Sequence, residues 1–166
     1  LAHERGGAVV PDGERWRRVV PSPRPRRILE VAEIRLLVEQ GVIVICAGGG
    51  GIPVVRRADG SYTGIEAVID KDLASSLLAR ELGVDGLLLL TDVDAVYQDF
   101  GTATARPIHK ATVAELRAQS FAPGSMAPKV QAACDFVDAT GGFAGIGRLD
   151  DAAEILARRA GTLVVR

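Results

Sequence analysis

Apolar and polar positions fall in blocks along the chain, and the period changes from block to block. Residues 28–40 place Ile28, Val31, Ile34, Leu37 and Val38 at helical spacing, and Gly41 stops the pattern. Residues 42–47 (VIVICA) follow as a continuous apolar, β-branched run, which predicts a buried parallel strand. A glycine-rich turn comes next. Residues 54–57 and 62–65 flank ADGS and predict a hairpin turning at Asp59 and Gly60. Residues 70–82 set Leu73, Leu77, Leu78 and Leu82 on one helical face, closed by Gly83. Residues 86–93 (GLLLLTDV) predict a second buried strand. A short helix over 112–120 opens at Thr112, and a longer one over 125–139 has Ser125 near its start and Gly141 just beyond its end. A strand over 143–147, a helix over 150–160 and a strand over 162–166 complete the pattern.

Strands separated by helices imply an α/β fold, a three-layer sandwich with a mostly parallel central sheet. Ligands bind such sheets at the carboxyl ends of the strands. That rule selects the loops after Ala47 and after Leu90 and the approach to Asp70. Pro21, Pro23 and Pro25 predict a stiff, extended connector.

The length of 166 residues suits one domain with its own core. A net charge of −1 gives no pull toward nucleic acid or an acidic membrane surface. No apolar run is long enough to span a bilayer, and no basic-then-apolar leader is present, so the expectation is a cytoplasmic protein. Cys46 and Cys134 are isolated and read as small buried hydrophobes in a reducing compartment. His3 and His109 have no partner pattern and read as surface residues. The chain opens at Leu1 rather than Met, in a polar stretch, which reads as a piece of something longer. Of 20 basic residues only Lys71, Lys110 and Lys129 are lysines. In so Arg-rich a chain, a retained lysine points to a place that needs a compact ammonium.

Four segments carry candidate chemistry. In CAGGGGIP, Gly48, Gly49, Gly50 and Gly51 allow close backbone approach and a nest of N–H groups for a phosphate or carboxylate. Neither a P-loop nor a dinucleotide fingerprint fits, because no Lys-Ser/Thr follows and Pro53 stands where a third fingerprint glycine belongs. In IDKDL, a helix start explains Asp70 or Asp72 but not Lys71, which opposes the helix dipole. A phosphoryl-handling cluster explains all three, with the aspartates holding lysines or a magnesium ion. In LLTDVDAVYQD, Tyr97 can stack on a base beside Thr91 and Asp92, or the stretch is simply a solvated strand exit. In FAPGSMAPKV, a helix N-terminus and Lys129 suit a phosphate, or Ser125 is a cap and Lys129 faces solvent. No nucleophilic triad or metal-ligand set is readable. Glycines, lysines and aspartates at strand ends are the inventory of phosphoryl transfer.

Taken in order, VVPSPRPRRI, VIVICAGGGGIPV, GIEAVIDKDLA, LLTDVDAVY, GSMAPKV and the closing GTLVV strand resemble the carbamate kinase branch of the amino-acid kinase family, from about Trp16 to the last residue. The resemblance implies ATP-dependent phosphoryl transfer to a carboxyl-type acceptor, carbamate, giving ADP and carbamoyl phosphate, with Mg2+ accompanying the nucleotide. It implies that Lys71 and Lys129 neutralise the moving phosphoryl group, that Asp72 orients lysines, and that Gly48 to Gly51, with Asp70 beside them, border the γ-phosphate and the acceptor. Thr91, Asp92, Val93, Tyr97, Gly124, Ser125 and Met126 would surround the nucleotide. Ala127 departs from the glycine usual in the family. The implied organisation is one nucleotide-binding lobe over 1–166, with 1–27 as lead-in. The family's amino-terminal half lies outside it, and with that half most of the contact of a homodimer. Other acceptors within the family, or a non-catalytic nucleotide-binding regulatory domain, are the alternatives.

Overall fold

The computed structural model of the protein describes residues 8–166; His3 lies outside them. In chain order, β1 (Ala8–Asp12) and β2 (Arg15–Val19) form an antiparallel hairpin, and α1 (Val31–Glu39) follows an irregular connector. β3 (Val54–Arg56) and β4 (Tyr62–Gly64) form a second hairpin, with Val55 opposite Thr63, as the ADGS turn predicts. Then come α2 (Lys71–Leu82), β5 (Gly86–Thr91), β6 (Val96–Gln98), β7 (Arg106–Ile108), β8 (Lys110–Thr112), α3 (Val113–Arg117) and α4 (Met126–Thr140). β9 (Phe143–Arg148), a 3-10 turn at Leu149–Asp151, α5 (Ala152–Leu156) and β10 (Thr162–Val165) finish the chain.

The central sheet runs β5–β9–β10–β8. β5 pairs with β9 in parallel from Gly86↔Phe143 to Thr91↔Arg148, and β10 pairs in parallel with β8. Only β9 and β10 are antiparallel, joined by a short return through α5 that needs no crossover. The mixed α/β class with a mostly parallel sheet is therefore as the alternation predicts.

Side chains sort by sheet face. Leu87, Leu89, Ala144, Ile146 and Val164 join Ala132, Ala133, Phe136 and Val137 of α4 in the main core, and most of these are wholly buried. The opposite face of β9 is flat because it carries glycine. A Cβ on Gly145 would lie 2.4 Å from Ile155 of α5, so that helix can approach only where β9 lacks side chains. Thr162 ties the small β6–β7 ribbon to this core: its buried Oγ1 accepts from Val96 N at 2.8 Å and donates to the Ile108 carbonyl. Among the described residues no helix is long and apolar enough to cross a membrane.

Several elements differ from expectation. Residues 42–47 form no strand, and Ile43 and Ile45 are 93% and 97% exposed. A strand of this apolar type is stable only between neighbours, and no described strand pairs with it. Cys46, in the same run, is accordingly half-buried rather than buried, whereas Cys134 is fully enclosed in α4. The helix expected over 150–160 ends at Leu156, because Arg158 adopts φ +61° and Arg159 folds back onto Glu154 at 2.7 and 2.9 Å. The first helix spans only Val31–Glu39 and buries Ile34 alone. The hairpin β1–β2, the ribbon β6–β7 and strand β8 have no counterpart in the sequence pattern. His109 is exposed as expected.

Candidate active site

The entry to α2 is built by Asp70. It sits at the N-cap in extended conformation, and its Oδ1 accepts from the amides of Asp72 at 2.9 Å and Leu73 at 3.0 Å. The carboxylate therefore answers both the free amides and the positive end of the helix. The first helical residue, Lys71, points out and makes no ion pair among the described residues. Asp72 points in. Its two oxygens receive Lys129 Nζ of α4 at 3.1 and 3.0 Å, and each side chain is only 9% exposed. Both charges are thus largely removed from water and satisfied by each other, which pins the start of α2 to the start of α4.

The glycine turn reaches the same place. Gly50 is buried at φ +135°, and a Cβ there would fall 2.0 Å from the Ile69 carbonyl oxygen. Only glycine lets residues 48–51 lie against the residue preceding Asp70. As an anion nest the turn is poorer than its sequence suggests. Gly48 N–H donates to the Cys46 carbonyl at 2.8 Å, and Gly50 and Gly51 donate to Ala47 at 2.8 and 2.5 Å. Gly49 keeps the one N–H of the four with no acceptor among these contacts.

The carboxyl end of β5 supplies a second cluster. Thr91 Oγ1 donates to Asp92 at 3.0 Å, Val93 is half-buried, and Tyr97 OH donates to Asp94 at 3.0 Å. The Tyr97 ring meets Phe100 edge-on at 5.8 Å. The Asp94 hydrogen bond pushes the Tyr97 hydroxyl above its usual value, and burial and the Asp94 charge add to this against the opposing Arg148. Arg148 stands opposite Thr91 in the ladder and belongs to this cluster. Its one signal in the sequence was its place at the end of a strand, which a chain rich in arginine conceals.

At the start of α4, Gly124 takes φ +77°, and Ser125 holds the N-cap position without a side-chain capping bond. Met126 packs on the core. Ala127 N–H already donates to Ala122 at 3.1 Å and Pro128 has none, so few amides face an incoming anion. Lys129 is neither a solvated lysine nor a free ammonium at the helix end. It turns inward to Asp72. The structure thus gathers Gly50, Asp70, Asp72 and Lys129 at one point and Thr91, Asp92, Val93 and Tyr97 at the end of β5, while Lys71 remains in solvent. The stretch leading into Asp70 meets the start of the chain: Pro21 accepts from Val68 N at 3.0 Å, and Arg18 of β2 pairs with Glu66. Sequence reasoning had passed over Glu66. Among the described residues no group of three or more His, Cys, Asp or Glu could hold a metal ion.

Residues 6–146 match the amino acid kinase family. The chain is 48% identical to the carbamate kinase of Rhizobium meliloti over 99% of its own length and 51% of that protein's. It is 46% identical to the carbamate kinase of Haemophilus influenzae, covering 54% of it. Among solved structures, carbamate kinase from Giardia lamblia bound to AMP-PNP superposes with a TM-score of 0.91 at 41% identity, over 99% of this chain and 54% of that one. The chain spans about half the length of the curated relatives it matches.

Proposed function

Because the chain belongs to the amino acid kinase family, we propose that it is the nucleotide-binding part of a carbamate kinase, which moves a phosphoryl group between ATP and carbamate to give ADP and carbamoyl phosphate. The observation that carries this reading is the buried Lys129–Asp72 pair, set beside the glycine turn and the exposed Lys71. Phosphoryl transfer asks a protein for positioning and for neutralisation of charge spreading over the equatorial oxygens. Lys71 supplies a mobile ammonium for those oxygens. Asp72 holds Lys129 in place, so that a second ammonium borders the same path. Gly48 to Gly51 admit the γ-phosphate and the acceptor without side chains in the way. Thr91, Asp92, Val93 and Tyr97 border the base and ribose, with Gly124, Ser125 and Met126 across from them.

Magnesium enters as part of the nucleotide substrate. Asp70 Oδ1 takes two helix amides and both Asp72 oxygens take Lys129, and Mg2+ is commonly held through substrate phosphates. The whole protein, on this reading, is a cytoplasmic homodimer that acts in arginine breakdown, where the family often runs the reaction toward ATP. The 166-residue chain by itself binds nucleotide and turns over poorly.

The test has two stages. Calorimetry of this chain with Mg-ADP should give saturable one-to-one binding. In a protein of the relatives' full length, Lys71→Ala should lower turnover about a hundredfold or more. A loss under threefold would remove Lys71 from the chemistry, and Lys110→Ala, at an exposed position on β8, is the matched control. Profiling carboxylate and phosphate acceptors separates carbamate from the family's other substrates. Tight nucleotide binding without turnover of any acceptor would instead favour a regulatory domain.

A further inference from the structure

Outside the site just described, one carboxylate gathers donors from three segments of the chain. Asp135 of α4 is nearly enclosed, its side chain 12% exposed. Gln131, one turn back on the same helix, donates to it at 2.7 Å. Arg117, at the end of α3, stands 3.6 Å from it and pairs with Asp138 at 2.6 Å. Arg24 reaches it from the connector, 111 residues away. The first two contacts belong to the packing of α3 on α4. The third fastens the connector to α4. The connector is also tied at its other end, where the Pro21 carbonyl accepts from Val68 N at 3.0 Å and Arg18, just ahead, pairs with Glu66.

Val68 lies just before the Asp70 cap of α2, and Asp135 lies less than two turns beyond Lys129 in α4. Residues 21–24 therefore join the entry of α2 to α4, the same two elements that the Lys129–Asp72 pair joins from inside. Between the two ties the chain reads Pro21-Ser22-Pro23-Arg24-Pro25. Each proline fixes its own φ, and Ser22 and Arg24, each preceding a proline, are confined to extended backbone. Such a segment advances about 3.1 Å per residue, so 21 to 24 spans about 9 Å. Two packed helices stand about 8–10 Å apart, which is the same scale. A flexible tether would only limit a separation, whereas a stiff one fixes it in both directions. An exposed arginine pair adds little stability by itself, so its effect here is one of geometry. We propose that the proline segment is a strut that sets the spacing between the entry of α2 and α4, and that Arg24 and Asp135, which fasten it, are positioning residues for Lys129. The catalytic consequence rests on the phosphoryl-transfer reading; the strut itself does not.

Lys71, Lys110 and Lys129 are the only lysines of the chain, so brief acetylation followed by mass spectrometry reads each one separately. In the 166-residue chain buried Lys129 should react about tenfold or more slowly than exposed Lys71 and Lys110. Arg24→Ala should raise the Lys129 rate about threefold or more and leave the other two unchanged. Arg24→Lys should restore part of the protection, and the swap Arg24→Asp with Asp135→Arg should restore more. Arg159→Ala, which removes an ion pair with Glu154 elsewhere, should leave Lys129 as it was. An unchanged Lys129 rate in Arg24→Ala overturns the proposal, and so does an equal rise in Arg159→Ala. If Arg24→Ala makes all three lysines react alike, Asp135→Asn is read in its place, and a Lys129 still fully protected there overturns the proposal. In a protein of the relatives' full length, Arg24→Ala should lower turnover about tenfold and leave the KM for nucleotide within about threefold, since the base contacts are untouched. A higher KM with unchanged turnover overturns the positioning role. Exposure of Lys129 with both constants unchanged would leave the strut standing and remove Lys129 from the chemistry, which separates the two readings.

Discussion

Residues 42–47 and 86–91 are near twins in pattern. Each is a short continuous apolar run that follows an amphipathic helix and a glycine, and each predicts a strand buried on both faces. Their outcomes are opposite. The second run is β5, with Leu87 and Leu89 at 8% and 4% exposure beneath α4; the first has no ladder and leaves Ile43 and Ile45 in solvent. Local propensity is at least as good in the first, which is richer in β-branched residues. What separates them is a neighbour. β5 has β9 beside it for six consecutive residue pairs, and 42–47 has no such neighbour among the described residues. Strand character in a parallel sheet is a property of the pair more than of the run.

The largest test of that contrast is a truncation in each run. Leu89→Ala should cost about 2–5 kcal/mol by urea unfolding, whereas Ile45→Ala should stay within about 0.5 kcal/mol of the parent. A comparable loss at Ile45 would mean that the run is covered in solution. The same contrast exists in charge, between buried Lys129 and exposed Lys71. A double-mutant cycle on Lys129 and Asp72 should return a coupling of roughly 0.5–3 kcal/mol, and the same cycle on Lys71 and Asp72 should return none that unfolding can detect. Smaller again is the cap where β8 turns into α3. Thr112 Oγ1 receives the Glu115 amide at 3.3 Å and the Glu115 carboxylate receives the Thr112 amide at 2.7 Å, so Thr112→Ala should cost about 1 kcal/mol. The least expected effect on stability lies where β5 runs out into solvent. The Tyr97 hydroxyl is raised above its usual 10.0, first because it donates a hydrogen bond to the Asp94 carboxylate. A raised value in the folded state means a contribution present below pH 10 and lost as pH rises through the folded value. Asp94→Asn should move the ultraviolet titration of Tyr97 back down, and no movement would break that bond.

Much of the fold was legible because periodicity reports burial. α2 was read nearly to the residue, since Asp70 and Gly83 mark its ends as strongly as its leucines mark its face. The ribbon β6–β7 was not legible. Its strands are three residues each, Pro107 interrupts one, and the loop between them carries the polar residues of a turn. The arm β1–β2 is solvated on both faces over most of β2, so no alternation betrays it. In the site, the Asp70 cap follows from local sequence. The Asp72–Lys129 pair joins residues 57 apart, and no spacing rule reaches so far. Lysine scarcity singled out Lys129 without saying that it turns inward.

The contact of Gly50 with the Ile69 carbonyl has a consequence for how this chain tolerates change. Every missense substitution of a glycine codon adds at least a Cβ, and at position 50 that atom meets a backbone oxygen that has no rotamer with which to step aside. A saturation library should therefore treat the four glycines unequally. Gly49, with open space around its missing Cβ and no left-handed φ, should accept alanine or serine. Gly50 should accept nothing, because any replacement pushes the turn off the residue that leads into the Asp70 cap. Inherited variation in this turn would accumulate at one position and be purged at its neighbour.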